Sequence, residues 1–108
     1  MATFEQFLES LDKDIIEYAE HSWSALRQAA TADARAFVQK SRQDLERWSR
    51  LLALGELSRD DFDWLVRSKR DLAELMSLKQ KGLAKVALDQ FVNGLIALIV
   101  SAAFKVFL

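Results

Sequence analysis

The sequence predicts an all-α protein: an antiparallel hairpin of two long helices that associates with copies of itself into a four-helix or larger bundle. Three observations carry this. Apolar residues recur at spacings of three and four along nearly the whole chain, with no strict alternation that would suit a strand. Proline is absent and glycine occurs only at Gly55, Gly82 and Gly94, so little interrupts a helix. The last third of the chain is more apolar than the seam of a single helix pair can cover.

The first helix is expected over about residues 3–54. Thr3 and Gln6 form a capping box, in which the hydroxyl and the amide each satisfy a free backbone amide at the helix start. Phe4, Phe7, Leu8, Leu11, Ile15, Tyr18, Trp23 and Leu26 then follow at helical spacing, continued by Ala30, Ala34, Phe37, Leu45, Trp48 and Leu52. Gly55 is placed to take the left-handed conformation that closes the last turn. The connection covers residues 55–57. The second helix is expected over about 58–106, with Ser58 as its cap, Asp61 three residues on, and Leu57 stapled to Phe62. A connection this short makes the two helices antiparallel neighbours.

Folding the chain there sets Trp48 beside Trp64, Leu26 near Val86 and Leu8 near Phe104. The two tryptophans are expected to lock the packing around the turn. Gly82 falls opposite Ala29, Ala30, Thr31 and Ala32, so the helices can approach closely at mid-length. The favoured expectation is a helix that continues through Gly82 with a kink allowed there. Breaks near Thr31 and Gly82, giving four shorter helices, stay open. An arm of about 50 residues reaches roughly 75 Å at 1.5 Å per residue, which is a coiled-coil rod.

The rod has a difficulty at its C-terminal end. At about 100° per residue, counted from Lys85, Asp89 lies at about 40°, Asn93 at about 80° and Gln90 at about 140°. Those polar residues mark an outward wedge. Downstream, the wedge holds Ile96 at about 20°, Phe107 at about 40°, Val100 at about 60° and Phe104 at about 100°. Leaving four such side chains in water forgoes about 1.5–3 kcal/mol each, against a domain stability of roughly 5–15 kcal/mol. The expected cover is another copy of the chain, with Ile96, Val100, Phe104 and Phe107 as the interface.

Lipid is the alternative cover. Residues 94–108 hold one charge, Lys105, over fifteen residues. A spanning helix needs about 20, and extending upstream brings in Asn93, Gln90, Asp89 and Lys85. Flanking basic residues that would favour an anionic bilayer are few.

Composition narrows the chemistry. Fifteen Lys and Arg oppose sixteen Asp and Glu, for a net charge of −1, which gives no overall attraction to nucleic acid. The charge is uneven, at −5 over residues 1–26 and +3 over residues 27–54. The basic run Arg35, Lys40, Arg42, Arg47 and Arg50 is interleaved with Asp33, Asp44 and Glu46. Glu46–Arg50 is expected to pair at i,i+4 on a solvated face, so no nucleic-acid partner is expected. Without cysteine there is no disulfide, thiolate metal site or thiol nucleophile. Met1-Ala2-Thr3 leads straight into acidic residues, without the basic and apolar leader of an exported chain, and the cytoplasm is the expected compartment.

The single histidine, His21, follows Glu17 by four residues. Di-metal helical bundles use a three-residue step and further inward glutamates, so a metal-binding bundle ranks third. Ser22 and His21 point about 100° apart on a helix and form no nucleophile–base pair. No glycine-rich phosphate loop is present, and Asp60, Asp61 and Asp63 begin a helix without the twelve-residue calcium loop. No catalytic, cofactor-binding or metal residues are expected. The function that follows is non-enzymatic: a homo-oligomeric scaffold or adaptor that uses its apolar C-terminal helix for assembly. A membrane-active protein inserting that segment is the alternative.

Overall fold

A computed structural model describes residues 2–76 and 84–108. Among them are six α-helices: α1 Phe4–Ser22, α2 Arg27–Lys40, α3 Arg42–Ala53, α4 Arg59–Arg67, α5 Arg70–Met76 and α6 Lys85–Phe107. The chain measures 42 × 23 × 19 Å. It is therefore all-helical, but the two arms are folded up and do not extend as a rod. The kink expected at Gly82, and with it continuity across residues 77–83, lies outside the described residues.

The local signals act where the sequence places them. Thr3 Oγ1 accepts from Gln6 N at 3.1 Å while Gln6 Oε1 accepts from Thr3 N at 2.9 Å. Ser58 Oγ accepts from Asp61 N at 3.0 Å. Gly55 has φ of 75°. Its N–H donates to Leu52 O, and the Glu56 N–H reaches back to Leu51 O, so two carbonyls at the end of α3 are satisfied by the turn itself.

The predicted 3–54 helix is broken twice, at residues that carry no breaker signal. Trp23 leaves the helical region at φ −134°, ψ 40°, and Ser24–Leu26 form a single 3-10 turn. The break lets the Trp23 indole meet the edge of Phe91, with ring centroids 5.4 Å apart. It also turns α2 back along α1, where Arg35 clamps Asp12 through two hydrogen bonds of 2.8 and 3.0 Å. The pair raises the Arg35 pKa through the Asp12 hydrogen bond and charge. Both partners are about half exposed, so it contributes about 1 kcal/mol or less. At Ser41, φ −96° and ψ 7° bend the chain between α2 and α3. The predicted second helix likewise breaks after Arg67, where the Ser68 hydroxyl donates to the Leu65 carbonyl and Lys69 N takes a three-residue bond to Val66 O.

Around these bends the chain wraps α6. Helices α1, α3, α4 and α5 all pack on it, while α2 lies against α1, α3 and α5. Helix α1 runs antiparallel to α6, with Phe7 on Phe107 at 5.7 Å and Tyr18 stacked on Phe91 at 5.9 Å. Nine residues of α6 are buried: Leu88, Phe91, Val92, Leu95, Ile96, Ile99, Val100, Ala102 and Ala103.

Gly94 has a specific part in this packing. A Cβ there would fall on the Tyr18 hydroxyl and lie 2.8 Å from its Cζ. Tyr18 Oη donates to Phe91 O at 3.0 Å, and burial raises the phenol's pKa. Gly94→Ala is therefore expected to destabilise the fold by about 1–3 kcal/mol through the displaced ring. At an open helix position the same change stabilises by about 1 kcal/mol. The sign of the shift in urea unfolding decides between the two.

Candidate interaction surfaces

The four residues expected at the assembly surface separate into two pairs. Ile96 is 1% exposed and Val100 8%, both inside the single chain's own core. Phe104 and Phe107 are half-buried. Phe104 packs on Phe62 at 5.9 Å with the Arg59 guanidinium over its ring at 5.5 Å, and Phe107 packs on Phe7. The premise of a bare apolar wedge is thus corrected.

The wedge lies partly inside the bundle because Asp89 does not mark a wet face, although Lys85 is itself exposed. Asp89 is half-buried, 3.4 Å from Arg70 and 3.7 Å from Lys85, and Lys85 lies 3.4 Å from Glu74. These charges are matched by α5, and α4 continues the cover as far as Phe104. The true outward stripe is Gln90, Asn93, Ala97, Ser101 and Lys105, all exposed. Lys105 ties that stripe to α1 through Asp14 at 3.4 Å.

The tryptophans near the turn also part company. Trp48 is buried beneath the Lys69 ammonium, 5.8 Å from its ring centroid. Lys69 in turn binds Asp44, and that hydrogen bond holds the Asp44 carboxyl below the usual carboxylate range. Trp64 points away from the bundle and is 69% exposed. Among the described residues, Leu54, Val86 and Leu108 are the other large apolar side chains left in water. The register that set Trp48 beside Trp64 and Leu26 near Val86 therefore does not hold at those positions, since neither Trp64 nor Val86 is packed in.

Concavities lie between the wrapping helices, and two of them have apolar linings. A groove of about 560 Å³ runs between α1 and α2 over Leu8, Leu11, Ile15 and Val38, with the Asp12–Arg35 pair alongside. A second, of about 280 Å³, sits at the end of the bundle among Phe4, Ala53, Leu54 and Phe107. Ser49 lines it, and its buried hydroxyl has no hydrogen-bond partner among the described residues. Glu46 and Arg50 also line it without forming the expected ion pair with each other.

His21, Glu17 and Glu20 are all exposed. Among the described residues no three His, Asp or Glu side chains gather as a metal site. Helix α6 spans 23 residues, longer than the fifteen-residue apolar tail counted from sequence. It is long and apolar enough to cross a membrane, and half of its most apolar window is buried in the bundle. Compared with protein families, curated proteins and solved structures, the chain matches none.

Proposed function

We propose that this chain is a non-enzymatic interaction module of the cytoplasm, a small helical scaffold or adaptor that assembles with copies of itself. The observation that supports this reading is the indole of Trp64, 69% exposed on a helix whose opposite face, Phe62 and Val66, is completely buried. Tryptophan is enriched among the residues that dominate binding energy at protein interfaces. Ile96 and Val100 are occupied within the subunit, so the assembly surface of this proposal is the outside of the bundle and not the interior of α6. Light scattering on the soluble protein over a dilution series tests it. A mass of two or more chains that falls on dilution is expected, and a single-chain mass at every concentration contradicts it.

A second reading is favoured by one observation, the length and apolarity of α6. In it, the wrapping helices open and α6 enters lipid. Flotation with phosphatidylglycerol-containing vesicles separates the two: protein that stays at the bottom of the gradient supports the module, and protein that floats supports insertion.

A further inference from the structure

We infer that the self-assembly contact is a two-fold, antiparallel pairing of α4 with α4 of a second copy, centred on Trp64; this rests on the self-assembling reading above. Helix α4 buries Phe62 and Val66 and turns Asp60, Asp61, Trp64, Arg67 and Ser68 outward. That face is ordered by charge. Its N-terminal half carries Asp60 and Asp61, which form no ion pair among the described residues, and its C-terminal half carries Arg67. Arg67 uses its Nε on Asp63 at 2.9 Å, and its terminal nitrogens form no ion pair among the described residues.

A two-fold interface sets residue i of one copy against j of the other and j against i. Antiparallel pairing about Trp64 brings Asp61 of each copy against Arg67 of the other, with the two indoles meeting at the axis. Parallel pairing would set acid on acid and base on base. The occupant with matching charge order is thus the same helix reversed. The molecule already sets cations over its rings, at Phe4, Phe104 and Trp48, and the partner's arginine beside Trp64 extends that chemistry across the interface.

The contact is small. A nine-residue helix offers less than the roughly 800 Å² per partner of a standard interface, so the dimer is weak and concentration-dependent. Sedimentation velocity over a dilution series tests the pairing with the whole chain. Trp64→Ala is expected to weaken the dimer about tenfold or more. Asp61→Arg is expected to weaken it by repulsion, and Asp61→Arg combined with Arg67→Asp to restore it, because the reversed charges match again. A wild-type chain that is monomeric throughout overturns the self-assembling reading itself. A wild-type dimer that Trp64→Ala leaves intact, or that the charge swap fails to restore, overturns only the α4 pairing.

Discussion

Ile96→Glu is expected to unfold the subunit. The side chain is 1% exposed, and the substitution both loses an apolar contact and places a carboxyl where no partner waits. Burying an unpaired charge belongs to the few mechanisms that cost about 4–5 kcal/mol or more. That is most of the stability of an ordinary domain, roughly 5–15 kcal/mol. The check is thermal or urea unfolding followed by circular dichroism. Ala97→Glu, one residue on and exposed, is the paired control and is expected to stay within about 0.5 kcal/mol of wild type. Had Ile96 faced outward, as the helical wedge suggested, its replacement would have lowered the mass of an assembly and left each subunit folded.

The second large effect is expected at Phe91. Its ring is fully buried, stacked against Tyr18 on one side and met edge-on by Trp23 on another. It therefore joins the end of α1, the break that follows it and the N-terminal third of α6. Phe91→Ala is expected to cost about 3–5 kcal/mol. Because the cavity opens beside Trp23, the loss of stability should come with a red shift of tryptophan emission in the folded state. A variant as stable as wild type would mean that the break at Trp23 is not held by this ring.

What was legible in the sequence is what local chemistry decides. The helical period, the Thr3–Gln6 box, the Ser58 cap and the Gly55 turn depend on neighbours a few residues away, and each is found in place. The bends at Trp23, Ser41 and Ser68 carry neither glycine nor proline. They exist because tertiary packing compensates for the interrupted helix, as Trp23 does against Phe91. Periodicity over fifty residues cannot distinguish a straight helix from three shorter ones that keep the same phase.

The outward face of α6 departs from the sequence expectation for a related reason. A polar residue need not mark water: Asp89 is half-buried beside Arg70 of α5, whereas Lys85 stays exposed while reaching Glu74. Gln90, Asn93, Ser101 and Lys105 meet solvent further round the helix, and Ile96 and Val100, on the Asp89 side of that stripe, are core. Trp48 and Trp64 looked alike in sequence because each flanks the same turn. Only the placement of Phe62 and Val66 against the core shows that Trp64 is left outside. Gly94 gave no sign of its role, since the ring that needs the space, Tyr18, is 76 positions earlier in the chain.

The central claim is that α6 is the interior of one folded subunit, with a single outward stripe. The chain has no cysteine, so a lone introduced thiol reports its own surroundings. Ile96→Cys, Ile99→Cys, Ala97→Cys and Ser101→Cys would each be labelled with a thiol reagent at a concentration where light scattering gives one chain. Thiols at positions 97 and 101 are expected to react at the rate of free cysteine, and those at 96 and 99 about a hundredfold more slowly, through opening of the fold. Labelling at 96 as fast as at 97 would contradict the account.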